Sequence, residues 1–174
     1  MNSKVLIGLI GAPGAGKDVL ADFLVENRGF RQFAFADKVK EGYYFASGFS
    51  EEQFKAARNT ELEQTIRNGL WAFSDEMRSK YGNLYFIAPV IQEITACGQS
   101  VVVSDVRTPD ELSQMESLGA IIIHVYRNPA TEFGEYIPGT RIKPVFGTGL
   151  LFWNHYSNLD ALWASFPEFF AGVC

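Results

Sequence analysis

The run Gly11-Ala12-Pro13-Gly14-Ala15-Gly16-Lys17-Asp18 constrains this chain more than any other stretch. It fits the spacing G-x-x-x-x-G-K. Residues 5–10, just before it, are continuously apolar, the pattern of a central parallel strand buried on both faces. After it, Val19, Leu20, Phe23 and Leu24 recur at helical spacing, and Arg28-Gly29 offers a stop. A strand, a glycine loop and a helix in that order turn several backbone N–H groups toward one anion. The helix N-terminus adds roughly half a positive charge. Lys17 adds a mobile ammonium that can follow β- and γ-phosphates through a transfer. Gly11, Ala12, Gly14, Ala15, Gly16, Lys17, Asp18 and Val19 are therefore the candidate phosphate contacts. A glycine-rich turn that binds nothing would not need the strand, the lysine and the helix in register.

The remaining chain alternates strands and helices. Residues 31–36 read as a second strand, and a long helical region follows. There Leu62, Ile66, Leu70, Phe73 and Met77 fall on one helical face. A further helix starts near Pro89 and stops at Gly98. Val101 to Val103 is the next buried strand. Thr108-Pro109-Asp110-Glu111 is a capping box with Pro at the first helical position. Residues 120–126 and 150–153 read as strands, and Ser157 or Asn158 caps a last helix carrying Leu159, Leu162, Trp163 and Phe166. This alternation predicts a three-layer α/β/α fold around a mostly parallel five-stranded sheet.

A length of 174 residues suits one domain, 1–174. An apolar fraction of 47% with 15 Phe fills a core without a disulfide or metal staple. Cys97 and Cys174 lack metal-ligand spacing and read as reduced thiols of a cytoplasmic protein. The net charge of −5, with no basic stripe, points away from a nucleic-acid partner and toward a small molecule held by local cations. No stretch is long enough to span a membrane. The short apolar run at residues 5–10 leads into the glycine loop rather than a cleavage site, so a strand is expected there and not a leader.

Asp18 stands where Ser or Thr usually follows the lysine and ligates Mg²⁺. Its carboxylate either meets Mg²⁺ or merely suits the helix dipole, worth about 0.3–1 kcal/mol. Asp105 ends an apolar strand and so belongs beyond the carboxyl edge of the sheet, where ligands bind in open α/β sheets. There it is placed to hold Mg²⁺ through water, unless it is only a turn residue. Arg107, two residues on, offers a fork to phosphate oxygens that Lys cannot copy, or is a surface Arg before a capping box. Asp37, Lys38 and Lys40 follow the second strand and either hold an acceptor anion or form a solvated helix start.

These residues together resemble the deoxynucleoside monophosphate kinases of tailed bacteriophages, within the wider nucleoside monophosphate kinase group. The likeness is carried by Gly16-Lys17-Asp18, by Phe35-Ala36-Asp37-Lys38-Val39-Lys40, by Ser104-Asp105-Val106-Arg107 with Glu111, and by Gly119-Ala120 through His124-Val125-Tyr126-Arg127. Arg67 and Arg78 are similar to a pair that in the family flanks a Leu-Gln-x-x-Gly stretch. Here Trp71 and Ser74 take the Gln and Gly places, and Val19 replaces the usual Thr. The resemblance implies transfer of the γ-phosphoryl of ATP, with Mg²⁺, to a deoxynucleoside 5′-monophosphate. It implies acceptor contacts from Asp37, Lys38, Lys40, Arg67 and Arg78 in a helical region at about 37–97, joined by Asp105 and Arg107 beyond the strand at 101–103. Lys17, Arg107, Arg127 and Arg141 would be the catalytic charges. The partners implied are small-molecule nucleotides, with a homodimer left open. The location would be the cytoplasm, that of the host if the chain is phage-encoded.

Residues 128–149 hold Pro129, Gly134, Pro138, Gly139, Pro144 and Gly147 together with Arg141 and Lys143. A break-rich segment of that length suits a lid closing over donor phosphates, with Arg127 at its hinge, or an ordinary surface loop. Two other functions stay open. One is a P-loop kinase of another phosphorylated metabolite, similar to the phosphomevalonate kinases that also carry Gly-Lys-Asp. The other is a nucleotide switch, although residues 124–129 lack the Asn-Lys-x-Asp guanine reader of a GTPase.

Overall fold

The computed structural model describes residues 4–127, 149–156 and 158–171. The chain divides into two compact units, one of Met1–Ala34 with Ile94–Cys174 and one of Phe35–Glu93. The first unit holds the whole sheet: β1 (Leu6–Ile10), β2 (Arg31–Phe33), β3 (Val101–Val103), β4 (Ile121–Tyr126) and β5 (Leu150–Trp153). The strand order is β2-β3-β1-β4-β5, and every pairing is parallel. The sequence leads to a mostly parallel sheet; among the described strands none runs the other way. β1 is central, and the chain leaves it first toward β2 and β3 and later toward β4 and β5. The sheet therefore switches direction at the carboxyl end of β1, where open α/β sheets form their ligand crevice.

Among the described residues, three helices cover the sheet of this unit: α1 (Lys17–Arg28), α6 (Pro109–Ser117) and α7 (Leu159–Phe170). Ile7, Leu9, Ile123 and Val125 point to one face and join Leu20, Phe23, Leu24, Leu162 and Phe166 in one core. Phe23 of α1 is its centre, with the rings of Trp163, Phe166 and Phe170 at 5.6, 5.0 and 6.0 Å. Such ring pairs each contribute about 0.5–1.5 kcal/mol beyond burial, so α7 is pinned to α1. On the opposite face a Cβ added to Gly8 would lie 3.0 Å from Ile122 and 3.3 Å from Met115 of α6. The arrangement is the three-layer α/β/α P-loop fold.

Local signals set the boundaries. Gly29 ends α1 at φ 67°, its N–H donating to the Leu24 carbonyl. Thr108 and Glu111 form the expected capping box of α6. Asn158 caps α7 through its side chain, which accepts from the Ala161 N–H. β2 is shorter than the sequence suggests: it stops at Phe33, and helix α2 (Phe35–Ser47) begins where residues 34–36 read as strand. Apolar alternation over so few residues fits either structure, and Asp37 in the first turn suits the helix dipole.

The second unit is helical: α2, α3 (Glu51–Ala56), α4 (Glu61–Tyr81) and most of α5 (Ile87–Ala96). α2 packs on α4 through small residues. A Cβ on Gly42 would come within 3.2 Å of the Phe73 ring, and one on Gly69 would collide with the Tyr43 hydroxyl. Ile66 is fully buried on the inner face of α4, while Leu62, in its first turn, stays 46% exposed.

Candidate functional site

The glycine loop follows β1 directly and is shaped by tertiary contacts. A Cβ at Gly11 would collide with the Val125 carbonyl of β4, so only glycine lets the loop pass that strand. Gly14 and Gly16 adopt φ 77° and 104°, left-handed values that favour glycine. Gly16 is the N-cap of α1 and provides no side-chain cap. No side-chain acceptor therefore caps the first amides of α1, and a helix N-terminus of this kind suits an anion.

Among the described residues, Lys17 and Arg127 bond to this loop, and Arg107 follows the strand next to β1. Lys17 folds back, its Nζ donating to the carbonyls of Gly11 and Ala12, each at 2.9 Å. Arg127, immediately after β4, donates through Nη1 to the Gly14 carbonyl at 3.2 Å. The loop and Arg127 therefore meet, as their places at adjacent strand ends require. Arg107 is exposed just beyond β3. Its backbone N–H and that of Thr108 donate to the buried Glu111 carboxylate at 2.7 and 3.0 Å. Glu111 thus fixes the backbone that carries Arg107 rather than facing a ligand.

Asp105 is 7% exposed, beyond the end of β3. The next amide, of Val106, donates to the Leu9 carbonyl of β1, which sets Asp105 beside the strand that feeds the loop. Asp18 is exposed in the first turn of α1. Among the described residues no three His, Cys, Asp or Glu side chains group as a metal cluster. Hard carboxylate oxygens near this glycine loop nevertheless have the chemistry that suits Mg²⁺, which takes one or two carboxylates and fills its shell with water and phosphate.

Of the candidate acceptor residues, Asp37, Lys38, Lys40, Arg67 and Arg78 belong to the helical unit and already carry ion pairs there, while Asp105 and Arg107 belong to the sheet unit. Lys38 meets Glu93 at 2.9 Å and Glu41 at 3.2 Å, and these bonds raise its pKa, Glu93 foremost. Lys40 meets Asp37 at 2.8 Å. Arg67 meets Glu63 at 2.6 Å and lies over the Phe54 ring, while Arg78 is 4.0 Å from Asp75. Any acceptor anion bound there must exchange with these carboxylates. Arg141, Lys143 and the lid expected at 128–149 lie outside the described residues, Gly149 apart.

A cavity of about 280 Å³ opens beside the loop, lined by Gly14, Gly16, Asp18, Arg127, Asn154 and Tyr156 with an apolar side from Leu159 and Leu162. Asn154 and Tyr156 escape sequence reasoning. The faint signal for Asn154 is a polar residue directly after the last apolar strand.

No family model matches the chain. A viral protein described as a "putative deoxynucleotide monophosphate kinase", from Acanthamoeba polyphaga mimivirus, is 25% identical over 146 residues, 71% of this chain and 74% of its own. Two solved structures are similar in outline. One is a "putative kinase" from Chloroflexus aurantiacus, 16% identical at TM-score 0.46, covering all of both chains. The other is the APS kinase CysC of Mycobacterium tuberculosis in complex with AMPPNP and APS, 12% identical at TM-score 0.48, covering 97% of this chain and 98% of its own.

Proposed function

We propose that this chain is a kinase that transfers the γ-phosphoryl group of ATP to a deoxynucleoside 5′-monophosphate, giving ADP and the deoxynucleoside diphosphate. The observation that carries the kinase reading is the phosphate loop itself: an uncapped α1 N-terminus with Lys17 and Arg127 both bonded to its carbonyls. The acceptor class rests on the mimivirus relative and on the order of the sequence motifs.

In this reading an oxygen of the acceptor phosphate attacks the γ-phosphorus, and the bond from that phosphorus to the β–γ bridging oxygen breaks. The loop amides and Lys17 would take the charge on the donor phosphates. Lys17 would leave the Gly11 and Ala12 carbonyls to do so, exchanging two neutral acceptors for an anionic one. Arg127, and Arg107 from the β3 side, would offset the repulsion between two approaching phosphate groups. The transfer has a loose transition state, so positioning and charge suffice and no covalent enzyme intermediate is needed. Asp105, and Asp18 if it reaches, would hold Mg²⁺, which supplies further neutralisation of the phosphate oxygens.

The deciding experiment is ATP turnover with Mg²⁺ against all common ribo- and deoxynucleoside monophosphates, with other phosphorylated metabolites alongside. Diphosphate formation from one or more deoxynucleoside monophosphates is expected. Turnover of only a non-nucleotide acceptor would move the chain to another small-molecule kinase, and tight nucleotide binding without transfer to any acceptor would make it a switch.

A further inference from the structure

Asn154 follows β5 and is 4% exposed. Its backbone N–H donates to the Tyr126 carbonyl at 2.6 Å, extending the strand pairing by one step. Its Nδ2 donates to the Ala15 carbonyl at 2.8 Å, a contact spanning 139 residues. The same nitrogen lies against Gly16, where a Cβ would stand 2.5 Å away. The side-chain amide is thus pressed on the loop where the chain turns into α1. This bond also fixes its orientation, because a flipped amide would set oxygen against oxygen. The Oδ1 is then buried without a hydrogen-bond partner among the described residues. Asn154 lines the 280 Å³ cavity together with Gly14 and Gly16 of the loop, and a cavity of this size suits the nucleoside part of a nucleotide. Buried polar atoms are nearly always paired, so an orphan acceptor on a residue that lines a cavity calls for a donor from a ligand.

Resting on the kinase reading above, we propose that Asn154 is a two-sided positioning and specificity residue. Its Nδ2 holds the phosphate loop in shape, and its Oδ1 accepts a hydrogen bond from an N–H or O–H group of the nucleoside of the bound donor. One side chain then links recognition of the nucleoside to the geometry of the loop that grips its phosphates.

The test measures binding of ATP, purine riboside 5′-triphosphate, 2′- and 3′-deoxy-ATP and inorganic tripolyphosphate to wild type, Asn154→Ala and Asn154→Asp. The riboside lacks the exocyclic amine and the deoxy compounds each lack one hydroxyl, so they separate the two sources of the donor. Wild type should bind one of these analogues about fivefold or more below ATP, the range of a single hydrogen bond. Asn154→Ala should erase that difference and also weaken tripolyphosphate. Asn154→Asp, which keeps an acceptor but loses the donor to Ala15, should weaken tripolyphosphate while keeping the difference. Equal binding of ATP and all analogues by wild type would overturn the Oδ1 assignment and leave the kinase reading intact. So would a difference that survives in Asn154→Ala. Unchanged tripolyphosphate binding in both variants would overturn the loop-holding role. Wild type that binds neither ATP nor tripolyphosphate would defeat the kinase reading itself.

Discussion

Lys17 holds two backbone carbonyls in this structure and is asked to hold phosphate in the reaction. Lys17→Met removes both partners, so two effects of different size should appear. Turnover should fall at least tenfold, because a charge partner of the transition state is gone. The melting temperature should drop by only a few degrees, at about 2–4 °C per kcal/mol for a domain of this size. A folded variant with more than about a tenth of wild-type turnover would refute the role given to Lys17. Arg107 and Arg127 lie on opposite sides of β1, beyond β3 and β4 respectively. Arg107→Ala should therefore raise KM for the acceptor far more than for ATP, whereas Arg127→Ala, beside Gly14, should lower kcat. Matching changes in both KM values for Arg107→Ala would count against its place on the acceptor side. Mg²⁺ titration separates the two carboxylates: Asp105→Ala should raise the half-saturating concentration. No change for Asp18→Ala would return that residue to a role in the helix dipole alone.

Elements differ in how plainly the sequence declares them. The glycine loop, β3 and the α6 capping box are local signals, with every residue needed lying within one turn or strand, and they stand in the structure as read. The brace from Asn154 to Ala15 joins residues 139 apart, and no local pattern encodes it. The start of α2 was obscured for another reason, since 34–36 are too few residues to separate a period of 2 from one of 3.6. β4 hides a further feature. His124 is 3% exposed in its middle, its Nδ1 has no hydrogen-bond partner among the described residues, and burial holds its pKa below the ordinary 6.5. Its ring stacks at 6.3 Å from that of Tyr126, and Glu116 of α6 lines the same neighbouring hollow. Below pH 6.5 the unfolded chain takes up a proton that the folded imidazole resists. Stability from this residue is thus complete above about pH 6.5 and is lost as pH falls toward the lowered folded value. Denaturant unfolding at steps from pH 7.5 to 5 should show wild type losing stability faster than His124→Gln, by at most about 1.4 kcal/mol per pH unit. Parallel curves would mean that the imidazole charges equally in both states.

At the scale of the whole molecule, the ligand is itself a structural element. A nucleotide that binds the folded loop and not the unfolded chain should stabilise by about 2.7 kcal/mol at a hundredfold excess over its Kd. Melting with ATP should rise accordingly and should not rise in Lys17→Met. An equal rise in both would locate the nucleotide elsewhere. The helical unit poses a separate problem. Its candidate acceptor cations were visible as residue types, but their present carboxylate partners, such as Glu93 for Lys38, come from packing that no motif announces.

The all-parallel sheet also sets a timetable. Of the described strands β1 is made first and lies at the centre, and among them it pairs with β3 and β4 alone. Its nearest neighbour in the sheet begins about 95 residues later, where Val5 donates to Ser100. At about 5–20 residues per second, β1 waits several seconds during synthesis with both edges unpaired. No hairpin can shelter it meanwhile, because parallel strands need long crossovers. Folding should then be slow and governed by distant contacts, and the phosphate loop, anchored at Gly11 against β4 and at Gly16 against Asn154, takes its shape among the last parts of the chain.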